Sequence, residues 1–243
     1  MKTKWGISGS VLKWFAVITM VIDHFGASVL ETYVMNVWGR SPLGNLFSNH
    51  WNELLRVDRI LRYIGRPAFP IFCFLLVEGF LHTRDVKKYA MRLGIFALIS
   101  EIPFDLAVRG KFFDWQYQNV YVTLLLGLLT IWALKTQKDV WYLRLVIAAV
   151  GCALGELVHC DCGAMGVALI VVLYLMRESR FQQCITGAIC TYWELPAPLA
   201  FIPIWFYNGE RGRQPKWFFY WFYPVHLLIY GLIGSWILPG ILL

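Results

Sequence analysis

The chain has 243 residues, of which 58% are hydrophobic, 17% aromatic and 15% charged, and its mean hydropathy is +0.56. A soluble domain carries about 25% charged residues, so this composition excludes an ordinary soluble protein. The formal net charge of +7 would suggest nucleic acid in a soluble protein, but here it indicates loop Lys and Arg that set membrane topology. We expect a lipid bilayer and no nucleic acid as a partner.

The first spanning segment, residues 11–30, carries Asp23 and His24 side by side. At about 1.5 Å per residue this pair lies about 15 Å down the helix, near the midplane of a hydrocarbon core about 30 Å thick. A charge there costs on the order of 3 kcal/mol, so such residues normally face a bundle interior or a wet cavity. The pair is either a polar contact between helices or a reactive imidazole in a membrane pocket.

His24 is the residue of this pair that suits chemistry. Successive helix residues point about 100° apart, so Asp23 does not orient His24 and is expected to meet an arginine instead. His24 is then free to face a cavity, near Glu78, where a neutral imidazole acts as a base or a nucleophile. We therefore take His24 and Asp23 as candidate catalytic residues.

Arginines follow the first span at helical spacing. Residues 31–63 are too polar to span, and within or just after them Arg59, Arg62 and Arg66 would share one helix face. Such a stripe either faces lipid headgroups or binds an anion. Anion binding suits arginine because its planar guanidinium forms two parallel hydrogen bonds to a carboxylate or phosphate group. With a cytoplasmic N-terminus these arginines fall on the outer side, against the positive-inside rule.

The remaining apolar segments complete an all-α, polytopic transmembrane bundle of about eight spans. Glu78 and Glu101 lie inside two of them and are candidate substrate-binding residues, because intramembrane carboxylates normally line a cavity. His226 is read as a packing histidine, and Cys160 and Cys162 are too few for a metal site, so no metal is expected. These segments are residues 67–82, 89–108, 120–134, 141–158, 163–176 and 217–238.

Residues 184–207 allow two topologies. Glu194, Pro196 and Pro198 interrupt this stretch, so it is either one kinked span or a hairpin of two short half-helices, which raises the span count to about nine. Residues 208–216 carry Arg211, Arg213 and Lys216, which favours a cytoplasmic loop and therefore the hairpin.

Several motifs in a fixed order resemble the TraX family of integral membrane proteins, named for the acetylation of conjugative pilin. The resemblance covers nearly all of the chain, which we treat as a single domain of residues 1–243. Its motifs are LKWFAVITMVIDHFG (12–26), RYIGRPAFPIFCFLLVEGFLHTRDVKKYAMRL (62–93), ISEIPFDLA (99–107), NVYVTLLLGLL (119–129), DCGAMGV (161–167), YNGERG (207–212) and KWFFYWFYPVHLLI (216–229).

This resemblance implies an acyltransferase of the cytoplasmic membrane that uses acetyl-CoA or another acyl-CoA. The chain is also distantly similar to membrane O-acyltransferases, in which a first-helix histidine is central. In this chain the corresponding histidine is His24, and Asp23 lies beside it. The resemblance implies that Arg62 and Arg66 bind the acyl-CoA donor. The acceptor is a peptide amine or a glycan hydroxyl. The alternative is a proton-coupled transporter in which Asp23, Glu78 and Glu101 relay protons.

Overall fold

A computed structural model describes residues 6–39, 50–137 and 140–239 of the chain. Throughout these ranges the chain is helical, apart from turns and two isolated β-bridges. The predicted all-α membrane bundle is therefore confirmed, whereas the number of spans stays a prediction. Lys2 and Lys4, whose charges favour a cytoplasmic N-terminus, and Lys138, in the predicted cytoplasmic turn after residue 134, lie outside the described ranges.

Contacts divide the chain into two compact units, each assembled from three separate stretches. The first comprises Met1–Ala16, Pro67–Leu98 and Gln116–Gln214. The second comprises Val17–Arg66, Ile99–Trp115 and Pro215–Leu243. A single functional domain covering residues 1–243 stays a prediction.

The described ranges contain ten α-helices, numbered in chain order. Within the same ranges, three helical stretches are long and apolar enough to cross a membrane, namely Gly9–Trp38, Trp51–His82 and Trp217–Ile237. The helices are α1 Gly9–His24, α2 Trp51–Gly65, α3 Ala68–His82, α4 Val86–Phe104, α5 Val120–Thr136, α6 Trp141–Leu157, α7 Gly163–Leu175, α8 Arg180–Cys190, α9 Phe201–Trp205 and α10 Lys216–Leu232.

The first helical stretch does not end near Leu30, as the hydropathy of the sequence suggested. It continues as a π-helical segment, Phe25–Trp38, which extends the first helical stretch past Glu31. Wider π-helical turns also follow α4 at Asp105–Arg109 and α10 at Ile233–Ile237. Because π-helical turns are frequently found at functional sites, the change of helix type directly after His24 directs attention to that residue.

In the first unit, small residues let helices α5, α6 and α7 approach closely. A Cβ on Gly127 would overlap Ile170, one on Gly151 would overlap Thr130, and one on Gly155 would meet the backbone of Gly163. Close backbone approach through small residues is the usual basis of helix packing in membranes. This unit is therefore held by shape complementarity between helices.

Residues 184–207 turn back on themselves. Of the two predicted topologies, the structure therefore has the hairpin and not the single kinked span. Helix α8 and the short α9 pack together, and the ring of Phe201 lies against Gly187. The two ends of the hairpin also meet: the Arg180 guanidinium is 4.8 Å from the Phe74 ring centre and 5.2 Å from that of Tyr207. The chain therefore enters and leaves the hairpin at the same end of the first unit.

We expect this end to be cytoplasmic. Tyr207 also pairs with Ile7 through a β-bridge, so the start of the first helix lies at the same end as the arginine-bearing loop after Tyr207. Positive charge concentrates in cytoplasmic loops. In a cysteine-free background, Glu210→Cys should react with an impermeant maleimide only after cells are permeabilised. Glu210 suits labelling because it is exposed, whereas Asn208 in the same loop is buried.

The control for this experiment is His159→Cys. His159 is exposed in the turn between α6 and α7. Helix α7 separates this turn from Arg180 at the other end of the first unit, so His159→Cys should be labelled on intact cells. Labelling of Glu210→Cys on intact cells would place the loop outside and contradict the cytoplasmic assignment.

Candidate functional site

The side chains of His24 and His226 meet in the second unit. His24 is the last residue of α1, and His226 lies in α10. Nδ1 of His24 is 2.6 Å from Nε2 of His226, and the ring planes differ by 3°. A hydrogen bond therefore joins two imidazoles whose residues are 202 positions apart in the sequence.

His226 is also held from its own helix. Its Nδ1 donates to the carbonyl of Phe222, one turn earlier, at 2.7 Å. Pro224 lies between them inside the helix, and because proline has no N–H it removes one backbone hydrogen bond from this turn. Both ring nitrogens of His226 are thus engaged, one with a backbone carbonyl and one with His24.

Aromatic rings surround the two imidazoles. The Phe222 ring stacks on His226 at 5.1 Å between centres, while Tyr223 and Tyr230 contact it edge-on at 5.8 Å. The Tyr230 hydroxyl donates to the Val21 carbonyl at 3.1 Å. His226 is only 6% exposed, so its ring has little freedom to turn.

Asp23 pairs with Arg62, as expected from the helix geometry. Arg62 Nη1 is 2.5 Å from Asp23 Oδ2, and both side chains are mostly buried. Gly65, one turn beyond Arg62, permits this approach because a Cβ there would overlap the Asp23 side chain. Asp23 is thus occupied by Arg62 in the structure, and a catalytic role for it stays a prediction.

Gly65→Ala should separate α2 from α1. The added methyl would displace Asp23, and overpacking of this kind costs about 1–3 kcal/mol. We expect a lower melting temperature of the purified protein, measured with a thiol-reactive dye that reports exposure of the buried Cys73, Cys160 and Cys184.

Gly94→Ala is the matched control for that variant. A Cβ at Gly94 would meet only Leu125, at an ordinary 3.7 Å, so the helix should gain up to about 1 kcal/mol from the loss of glycine. A Gly65→Ala protein as stable as Gly94→Ala would show that the contact with Asp23 is unimportant.

The other predicted binding residues of the second unit are more dispersed. Arg59 is exposed on α2, whereas Arg66 and Glu101 are half-buried. Arg62 and Arg66 both act electrostatically on the Asp58 carboxylate, whose Oδ1 is buried without a hydrogen-bond partner in the described ranges. The structure gives none of these groups a hydrogen bond or ion pair with His24 or His226. Donor binding by Arg59, Arg62 and Arg66 stays a prediction, as does a substrate role for Glu101.

Glu78 belongs to the first unit and has partners there. Its Oε1 lies 4.0 Å from Nη2 of Arg180. The hydroxyl of Tyr207, which follows α9, also hydrogen-bonds to the Glu78 carboxylate. Glu78 thus fastens both ends of the hairpin to α3, and its predicted substrate role stays a prediction.

The hydrogen-bond partner of His24 that sequence reasoning missed is His226. It was read as a packing histidine because no local spacing links it to His24. A histidine two residues after a proline inside a spanning helix was the available signal. Across the described part of the chain, no group of three or more His, Cys, Asp and Glu residues is arranged to hold a metal ion.

Comparison with known proteins gives two matches. A family model described as TraX protein matches residues 8–234. A probable fimbrial assembly protein, FimC of serogroup H1 from Dichelobacter nodosus, is 29% identical over 248 residues, which cover 90% of this chain and 92% of that protein. No solved structure matches. His24, Arg62 and His226 all fall within the residues matched by the family model.

Proposed function

Because this chain belongs to the TraX family, we propose that it is an integral membrane acyltransferase. It transfers an acetyl or other acyl group from acyl-CoA to an amine or hydroxyl acceptor, with the cytoplasmic membrane as its location. The name of the Dichelobacter relative, a fimbrial assembly protein, supports an acceptor among the proteins of surface appendages. A glycan is the other acceptor class.

One observation carries the proposal: His24 is held through Nδ1 only. In the described residues its Nε2 has no hydrogen-bond partner, although the side chain is only partly exposed. An imidazole fixed through one nitrogen and open at the other has the arrangement of a general base. Asp23, which would otherwise add a negative charge beside it, is neutralised by Arg62.

The reaction follows from this geometry. Nε2 of His24 takes the proton from the acceptor amine or hydroxyl as its nitrogen or oxygen attacks the thioester carbonyl. The new C–N or C–O bond forms, the C–S bond breaks, and the proton passes from His24 to the departing thiolate, so that CoA leaves as its thiol. If His24 carries the acyl group instead, Nε2 attacks the carbonyl, the C–S bond breaks and CoA thiolate departs from an acyl-imidazolium. The acceptor nitrogen or oxygen then attacks that acyl group, the bond from the acyl carbon to Nε2 breaks, and the acceptor's proton goes to the thiolate.

Thiol release tests the proposal. Purified protein in lipid nanodiscs is incubated with radiolabelled acetyl-CoA and either a peptide with a free amino terminus or an amino sugar. An acyltransferase releases CoA thiol and transfers label to at least one probe. Absence of thiol release, together with uptake of acetyl-CoA or a probe into proteoliposomes, would support a transporter instead.

A further inference from the structure

We propose that His226 is a positioning residue that decides which ring nitrogen of His24 carries the proton. The inference rests on the proposed function, because it concerns the readiness of His24 as a base. It follows from two hydrogen bonds that link three groups: the Phe222 carbonyl to His226, and His226 to His24. The first bond fixes the direction of the second.

The first bond fixes the tautomer of His226. A backbone carbonyl only accepts hydrogen bonds, so Nδ1 of His226 must carry the hydrogen that it shares with the Phe222 oxygen at 2.7 Å. A neutral imidazole has one N–H, and Nε2 of neutral His226 is therefore an acceptor.

The second bond then fixes the tautomer of His24. Since Nε2 of His226 accepts, Nδ1 of His24 must donate across the 2.6 Å between them. The hydrogen of neutral His24 is thus on Nδ1, and the lone pair is on Nε2. This is the form in which Nε2 takes a proton from an acceptor; the other tautomer carries a hydrogen at that position and does not act as a base.

The same bond assists the charged intermediate. When His24 takes the acceptor's proton it becomes a cation, and its Nδ1–H still donates to His226. A hydrogen bond from an ionised donor is about twice as strong as one between neutral groups. His226 thus does for His24 what a carboxylate does in a Ser-His-Asp triad, but without adding a buried negative charge inside a membrane helix, where ionised groups are costly.

The surroundings keep this arrangement in place. Phe222, Tyr223 and Tyr230 restrict the His226 ring, and the Tyr230 hydroxyl ties α10 to the end of α1 at Val21. The charged groups next to the pair, Asp23 and Arg62, neutralise each other. Neither of them accepts a hydrogen bond from Nδ1 of His24. The acceptor for that hydrogen bond is Nε2 of His226.

Two substitutions separate positioning from packing. His226→Phe keeps an aromatic ring but removes the acceptor, whereas His226→Gln retains an oxygen acceptor near the position of Nε2. With acetyl-CoA and the active probe, we expect kcat to fall about 100-fold in His226→Phe and by less than about 10-fold in His226→Gln, since general-base effects are about 10²–10⁴-fold. KM for acetyl-CoA should change little in either, and the exposed His50→Gln serves as the control.

The tautomer itself is measured by nuclear magnetic resonance of histidine-labelled protein, with the His24 signals identified by their loss in His24→Ala. The wild type should show hydrogen on Nδ1 of His24, and His226→Phe should lose that preference. Hydrogen on Nε2 in the wild type, or an unchanged kcat in His226→Phe, would overturn the inference. Equal losses of kcat in the Phe and Gln variants would show that His226 only packs. The tautomer measurement needs no acyl transfer, so its result is independent of the proposed function, which His24→Ala tests separately.

Discussion

His24→Ala is expected to abolish acyl transfer while leaving the helices folded. The substitution removes the ring nitrogen that we propose as the base, and loss of a general base costs about 10²–10⁴-fold in rate. Thiol release from acetyl-CoA with the active probe should fall at least 100-fold on that scale. The matched control is His50→Ala, which removes an exposed imidazole paired only with Glu53 and should keep wild-type turnover.

The outcome separates catalysis from packing. Thermal unfolding of His24→Ala should remain close to that of the wild type, because His24 is only partly buried. Turnover that survives the substitution would remove His24 from the mechanism. Poor expression or a collapsed melting temperature would instead favour the interpretation of Asp23 and His24 as a polar contact between helices.

Arg62→Ala is expected to give the largest loss of stability. It leaves the Asp23 carboxylate mostly buried, with 14% of its side chain exposed, and breaking a buried pair costs about 3–5 kcal/mol. We place the loss near the lower end, about 3 kcal/mol, because Arg62 is itself 22% exposed. The melting temperature from the thiol-dye assay should fall clearly, and Arg59→Ala, one turn earlier on an exposed face, should change it little.

A double substitution tests the pairing itself. Asp23→Ala in the Arg62→Ala background removes the stranded charge, so the double variant should be more stable than Arg62→Ala alone. Additive losses would mean that the two residues contribute independently. A fully stable Arg62→Ala protein would show that other groups, such as Arg66, neutralise Asp23.

Most of the fold could be predicted from hydropathy and proline placement. Residues 67–82, 120–134 and 141–158 were expected as helices, and the structure has α3, α5 and α6 within one or two residues of those bounds. The reversal in residues 184–207 was one of two alternatives: Pro196 and Pro198 allowed it, and the cationic loop that follows favoured it. These features depend on local apolar content or on missing backbone donors, which a single sequence displays directly.

The π-helical extension after His24 could not be predicted in the same way. Phe25–Trp38 contains Glu31 and Asn36, which lower the hydropathy and suggested that the helix ends near Leu30. In the fold, Tyr33 and Thr32 of this segment are buried, and their hydroxyls donate to the carbonyls of Leu106 and Val108. Tertiary contacts of this kind outweigh the local polar residues.

One half of the candidate site could be predicted. Helix geometry places Asp23 and His24 in different directions, because successive residues are rotated by about 100°. An arginine partner for Asp23 followed separately from the cost of an unpaired charge inside a membrane. The partner of His24 could not be found this way, since His226 belongs to the last helix and its register depends on how α10 packs. Only the folded chain brings the two imidazoles together.

The interleaving of the two units has a consequence for biosynthesis. The second unit takes its first stretch from Val17–Arg66 and its last from Pro215–Leu243, so His24 leaves the ribosome 202 residues before His226. At roughly 5–20 residues per second, His24 waits about 10–40 s for its partner. A nascent chain that stops before residue 226 therefore holds His24 without the residue that we propose sets its tautomer. The proposed acyl-transfer competence thus begins only after His226 has been synthesised.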